Sequence, residues 1–315
     1  MPIAVAPLSD PLSDPPPLYP PTVTPPPRPL PLWRFLPRFV ANPLRSLPKQ
    51  VYEQPIVTFA TGRGAIVWIT DPGLIETVLL REHERFPKTA LERRVFKPTL
   101  GNGILTSEGE SWRWQRRTAA PLFRPADITA YVPDMIAAAE ARLEAWRRSP
   151  AGCVQAIDAD MTDTTFRVIA TTIFSGEALA DSAVIQRESG AFLEKISWEI
   201  AAAMLHLPAW TWHPAKPRMT RAARRLRETV GRMLERRRAS GQAGDDLMGR
   251  LLAARDPETG AAMSDEQLID NLLTFGAAGH ETTAKALTWT LYLLARSPHW
   301  QERLRAEGAR VAGIG

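Results

Sequence analysis

Gly276-Ala277-Ala278-Gly279-His280-Glu281-Thr282-Thr283 lies at the centre of a stretch, 264–296, that otherwise reads as one long helix. Gly276 and Gly279 each cost about 1 kcal/mol relative to alanine in a helix interior, and the threonine pair adds β-branched strain. A chain that weakens its longest helix at its middle does so for a site. Ser264, with Gln267 three residues on, forms a capping box and sets the start. From there to Arg296 the helix would span roughly 48 Å at 1.5 Å per residue. Leu268, Leu272, Phe275, Leu287, Leu291 and Leu294 lie on more than one side, so burial is expected along much of its length.

The small residues at the centre let something flat approach the backbone. Thr282 falls one turn after Ala278, on the same face. Its hydroxyl can bond back to the Ala278 carbonyl, or release it and open a local bulge where water can sit. Glu281 beside it is costly to bury without a proton or a partner. Hydroxyl, carboxyl and accessible carbonyl together make a proton-delivery site. Glycine and alanine alone would indicate a close helix crossing; the acid and two threonines favour the site. His280 is read as an ordinary surface or core histidine and not as a ligand.

Outward from this helix the pattern is α-rich. Helices are expected near 72–81, 110–120, 133–148, 161–174, 182–205, 217–239, 245–254 and 298–308, with stops at Ser175-Gly176, Ser240-Gly241 and Ser297-Pro298. The body opens with two short strands, 56–60 and 65–69, around Gly62-Arg63-Gly64, a hairpin signal. Asp71 then caps a helix that has Pro72 at its first position. Fourteen of the first 37 residues are proline, a composition that favours polyproline II. Residues 1–45 are therefore read as a stiff arm outside the fold, ending in apolar Leu32-Trp33-Arg34-Phe35-Leu36, which packs on the body or touches a membrane surface. The fold class is mainly α, an α-rich α+β arrangement with a small N-terminal sheet.

Composition narrows the function. The net charge of +5 comes from 39 Lys and Arg against 34 Asp and Glu, spread along helices. No basic stripe or module indicates nucleic-acid binding. One cysteine, Cys153, cannot form an internal disulfide and suits a reducing compartment. No apolar run approaches the length of a bilayer span, and no secretory signal is legible. A cytoplasmic chain, peripheral to a membrane at most, is expected.

The order small-Gly-x-acid-Thr-Thr in a long helix resembles the cytochrome P450 family of haem-thiolate monooxygenases, particularly its soluble bacterial members. A second motif agrees. Trp112-Arg113-Trp114-Gln115-Arg116-Arg117 resembles the family's Trp-x-x-x-Arg segment, flanked by Gly103-Ile104-Leu105-Thr106 and Ala120-Pro121-Leu122-Phe123. Trp112 and Arg116 share a helix face, and an arginine fork with an indole N–H suits a carboxylate. The opening hairpin and Asp245-Asp246-Leu247 fit as well. The resemblance implies a P450-like helical fold over residues 46–315, with haem (iron protoporphyrin IX) as cofactor and O2 as co-substrate. It also implies that Trp112 and Arg116 bind a haem propionate. Ala278 and Gly279 would face the haem and the oxygen pocket. Thr282 would hydrogen-bond the bound dioxygen and Glu281 relay protons to it, so that one oxygen atom enters a C–H bond of a small apolar substrate. Electrons would come from a ferredoxin- or flavodoxin-like partner, and Arg113 and Arg117 could attract it or be merely solvated.

The pattern departs from the family in one respect. The thiolate loop, Phe-x-x-Gly-x-Arg-x-Cys-x-Gly, follows the long helix in the family, whereas Cys153 precedes it and has Trp146, Ser149, Ala151 and Gln155 at the motif's fixed positions. Cys153 is read as a small, partly buried apolar residue, and no residue is assigned as a metal ligand. Glu-x-x-Arg occurs six times, none in the family's context. The resemblance thus covers the N-terminal two-thirds of the fold, ending after the helix that follows the long one and before the haem-ligand loop. Such a fragment is expected to leave an apolar patch exposed beside the long helix and to be inactive by itself. The alternative reading is a catalytically dead remnant or binding scaffold that lacks the thiolate. Pocket walls are expected in loops around 88–102 and 200–216, which carry Leu91, Phe96, Leu100, Met204, Leu207 and Trp210.

Overall fold

A computed structural model of the chain describes Pro20 and residues 22–61, 64–241, 244 and 246–313. Among them the order of elements is α1 (Leu32–Ala41), α2 (Gln50–Glu53), β1 (Ile56–Thr61), β2 (Gly64–Ile69), α3 (Pro72–Glu76), α4 (Ala90–Leu100), α5 (Gly109–Ala119), α6 (Pro125–Ala130), α7 (Val132–Arg147) and α8 (Ile157–Phe174). It continues with α9 (Ser182–Leu193), α10 (Ile196–Met204), α11 (Lys216–Ser240), α12 (Leu247–Ala253), α13 (Asp265–Ala295) and α14 (Pro298–Ala312). The mainly-α class with one small sheet is as expected. The strands pair antiparallel with Ile56 opposite Ile69 and Thr61 opposite Gly64. Their turn residues Gly62 and Arg63, like residues 1–19 and Pro21 of the proline-rich arm and Asp245, lie outside the described residues.

Start signals written in the sequence are realised atom by atom. Asp71 Oδ1 accepts the Leu74 N–H at 2.8 Å to open α3, which continues as a π-type turn over Thr77–Arg81. Asp246 Oδ1 accepts the Gly249 N–H at 2.7 Å to open α12. At α13 the capping box is reciprocal: Ser264 N–H donates to Gln267 Oε1 at 2.9 Å, and Gln267 N–H to Ser264 Oγ at 3.3 Å.

Three expectations are corrected. The arm ends earlier than residue 45, because Leu32–Ala41 is helical despite Pro37 and packs against α10, with Phe35 stacked on Phe39 at 5.4 Å. That packing offsets the hydrogen bond that Pro37 removes. The expected loop at 88–102 is α4, opened by a capping box between Thr89 and Glu92 and tolerating Pro98 near its end. The single helix expected over 182–205 is two, because the Lys195 N–H turns to the Phe192 carbonyl and closes α9 in a tight last turn.

The described residues fall into two compact units, one within Val23–Lys285 and one that holds residues 286–313. In the larger, the core lies among α8, α11, α12 and the first turns of α13, around Phe166, Phe174, Leu226, Met233, Leu251 and Leu272. Burial of α13 is less extensive than expected. It holds over Leu268 and Asp270–Thr274 and recurs at His280 and Ala284, where the helix meets that core. In the smaller unit, Leu287 and Trp289 of α13 and Leu304 and Val311 of α14 are exposed. There Ser297 Oγ caps α14 and the Gln301 amide donates to the Leu294 carbonyl at 2.7 Å. No helix among the described residues is long and apolar enough to cross a membrane.

Candidate active site

The site is built on the way α13 is held. Asp270, Asn271 and Thr274 are buried, and each meets the loop that joins α4 to α5. Asp270 Oδ2 accepts the Asn102 N–H at 2.7 Å and Asn271 Oδ1 accepts the Ile104 N–H at 3.0 Å. Asn271 Nδ2 donates to Gln115 Oε1 of α5 at 2.7 Å, and Gln115 Nε2 donates to the Asn102 carbonyl at 3.0 Å. A Cβ on Gly103 would lie 2.8 Å from the Asp270 carbonyl oxygen, so only glycine lets the loop approach so closely. These hydrogen bonds fix where α5 sits on α13.

Asn271, Phe275, Ala278 and Thr282 follow one another at helical spacing and form one stripe of α13. Its first half is covered: Asn271 by Gln115, and Phe275 by Phe123 just past α5, ring centroids 5.2 Å apart. Its second half, Ala278 and Thr282, is exposed, as is the adjacent Ala277. The result is a shelf of small side chains emerging from beneath α5. On it the Thr282 hydroxyl donates to the Ala278 carbonyl at 2.6 Å, the first of the two arrangements the sequence left open.

Glu281 flanks the shelf and is partly buried. Its Oε1 lies 3.7 Å from Lys285 Nζ and its Oε2 3.7 Å from His280 Nε2. Lys285 in turn donates to both carboxylate oxygens of Asp158 on α8, at 2.7 and 2.8 Å. Burial pushes the Lys285 ammonium down, but the two carboxylates outweigh it and hold its pKa above the ordinary lysine value. His280 is a core residue: Nδ1–H donates to the Gly276 carbonyl at 3.0 Å and the ring stands edge-on to Phe166.

Across α5 the arginines divide sharply. Arg113 pairs with Glu84 and Glu110. Arg117 forks onto the buried Asp256, at 2.8 and 3.0 Å, and holds its carboxyl well below the usual carboxylate range. Both are thus committed within the chain and not merely solvated. Arg116 is exposed and has no partner among the described residues, and the Trp112 indole N–H has none either, its ring lying near Lys88 and His83. Among the described residues, both Trp112 and Arg116 are thus available to a carboxylate.

Of the six candidate positions, Trp112 and Arg116 lie on α5, Ala278 and Thr282 lie on the shelf, and Glu281 lies at its edge. Gly279 is turned elsewhere. A Cβ there would lie 2.5 Å from Ile169 Cδ1 of α8, so its small size serves helix packing and not the shelf. Cys153 is exposed in the turn after α7, not partly buried, because no apolar neighbour covers that turn. Of the expected pocket residues, Leu100 and the α13 residues Gly276 and Ala277 line a cavity of about 40 Å³, too small for an organic substrate, while Trp210 is exposed. Lys285, Asp158, Gln115 and Asn271 went unnoticed in the sequence. Only the i, i+4 spacing of Glu281 and Lys285 could have signalled them.

Comparison with known proteins bears on this arrangement directly. The cytochrome P450 family model matches residues 24–314. Cyclooctatin synthase of Streptomyces melanosporofaciens is 33% identical over 282 residues, 86% of this chain and 59% of that protein. Cyclooctat-9-en-7-ol 5-monooxygenase of the same organism is 31% identical, over 88% and 58%. A bifunctional cytochrome P450/NADPH–P450 reductase of Alternaria alternata is 32% identical over 73% of this chain and 21% of its own. The chain belongs to the cytochrome P450 family, and it spans about three-fifths of the length of the two Streptomyces relatives. Membership implies haem as cofactor. The residues present fit the distal side of that group: two unpartnered donors for a propionate, and a shelf of small side chains for a flat ring.

Proposed function

We propose that this chain is the distal portion of a haem-dependent monooxygenase that places one oxygen atom of O2 into a small apolar organic substrate. One observation carries this reading: among the described residues, Arg116 alone of the three arginines of α5 has no carboxylate, and the Trp112 N–H has no partner either. Bound haem would supply the oxygen-activating chemistry. The chain's own residues would do the rest. Trp112 and Arg116 anchor a propionate, the fork giving geometric specificity. Ala278 leaves room above the ring. The Thr282 hydroxyl, now spent on the Ala278 carbonyl, turns to donate toward the oxygen pocket, and Glu281 passes it a proton from the Lys285–Asp158 side. The relatives' names, which include a monooxygenase, support the reaction class. We place the electron donor in a separate ferredoxin- or flavodoxin-like protein, a role that suits the chain's net positive charge.

Titrating haem into the purified chain tests the reading. Arg116→Leu and Trp112→Phe should each weaken uptake, and 18O2 labelling of an apolar substrate panel should show one atom incorporated by the enzyme that contains this chain. Uptake indifferent to both substitutions would remove the propionate assignment. Uptake with no labelled product would favour the binding scaffold.

A further inference from the structure

A cleft of about 690 Å³ lies where the end of α4, the α4–α5 loop, the start of α5 and the first turns of α13 come together. Every residue that lines it is polar, so it offers nothing to the apolar body of a typical organic ligand. Its floor is the contact of α13 with the loop, where Asp270 receives the Asn102 N–H and the Arg227 guanidinium. Neither Trp112, Arg116 nor any residue of the shelf lines it.

Most of the charge on its walls is matched within the chain. Asp270 has Arg227, and Glu108 Oε2 has Arg93. Two charges of opposite sign are left over. Lys97 in the last turn of α4 and Glu266 in the first turn of α13 are both exposed. Among the described residues neither has an ion-pair partner, and they do not pair with each other. The cleft also carries two polar atoms that the fold buries without a partner. Ser107 is 7% exposed, and neither its Oγ nor Glu108 Oε1 has a hydrogen bond among the described residues. Native proteins rarely keep such atoms. The first is a hydroxyl free to donate to a carboxylate, and the second is a carboxylate oxygen free to accept from an ammonium. An anion would meet Glu266, a cation would meet Lys97, and a neutral sugar would leave both charges unmatched. A molecule that carries both signs suits all four groups.

We infer that this cleft binds a small zwitterion, an amino acid or dipeptide, with its carboxylate toward Lys97 and its ammonium toward Glu266. The inference is independent of the proposed function, since it uses none of the residues assigned to haem or oxygen.

Calorimetric titration of the full chain with diglycine tests it, alongside the N-acetyl form, which lacks the ammonium, and the amide, which lacks the carboxylate. Diglycine should bind saturably, and each blocked form about fivefold more weakly, the scale of one exposed ion pair. Lys97→Met should bind diglycine and its amide alike, and Glu266→Gln should bind diglycine and its N-acetyl form alike. Each variant has lost the group that reads that end of the ligand. Both side chains are exposed, so urea unfolding midpoints should stay unchanged, which separates lost binding from lost folding. Ser107→Ala should weaken binding and leave the midpoint no lower, because it removes a buried hydroxyl that has no partner in the fold. No saturable binding, or glucose or inorganic phosphate bound as tightly as diglycine, would overturn the inference. So would variants that still discriminate against the blocked forms as the parent does.

Discussion

Gln115 and Asn271 meet amide to amide at 2.7 Å, both fully buried, 156 positions apart in the chain. Through this pair the helix that carries Trp112 and Arg116 is set against the helix that carries Ala278 and Thr282. Asn271→Leu would strand the Ile104 N–H and Gln115 Oε1 without partners. A loss of about 3 kcal/mol in urea unfolding is expected from two stranded buried groups. Stability equal to the parent would show that the two helices are held by packing alone.

Gly103 and Gly276 should respond oppositely to alanine. A Cβ on Gly103 would press on the Asp270 backbone at 2.8 Å, which cannot swing aside, whereas Gly276 has open space around it. Gly103→Ala should cost about 2 kcal/mol. Gly276→Ala should gain up to about 1 kcal/mol from helix propensity. Thermal or urea unfolding of both variants checks the signs.

Arg116 and Arg117 are neighbours with separable roles. Arg116→Leu should leave the stability of the haem-free chain unchanged within about 0.5 kcal/mol, as for surface sites, while weakening haem uptake. Arg117→Leu should destabilise the chain itself, because it leaves the buried Asp256 carboxylate without its fork. Unfolding curves with and without haem distinguish the two effects; equal loss of stability in both variants would contradict the division.

Asp246 ties stability to pH. Burial alone would raise its pKa, but the Arg237 fork, the Ser175 hydroxyl and the Gly249 N–H outweigh it, so the group lies below its ordinary value. A depressed folded pKa means the stabilisation is fully present above the unfolded value, near 3.9. It is lost as pH falls through the folded value. Asp246→Asn should cost about 3 to 5 kcal/mol at neutral pH. Denaturant titrations in increasingly acid buffer should show the parent losing stability faster than the variant, so that the gap narrows. A constant gap down to the acid limit would mean that Asp246 is not the titrating group.

What the sequence determined by itself was local. Ser264 and Gln267, Asp71 and Pro72, and the Glu281-Thr282 pair act within one or two turns, where backbone geometry leaves few choices. The capping box at Ser264, the cap at Asp71 and the long helix were therefore legible, while the Thr282 hydroxyl was left with two arrangements until the structure chose the bond to Ala278. Helix α4 was read as a loop, although its Thr89–Glu92 capping box is equally local. Tertiary structure decided everything that depends on which distant groups find each other. It gave Arg113 and Arg117 to carboxylates and left Arg116 free. It turned Gly279 toward Ile169 and set Lys285 on Asp158. It stabilised α1 in spite of Pro37 and left Cys153 exposed. Spacing along a helix fixes the face a side chain occupies, but the partner waiting on that face comes from chain folded 100 or more residues away, as with Asp158 for Lys285.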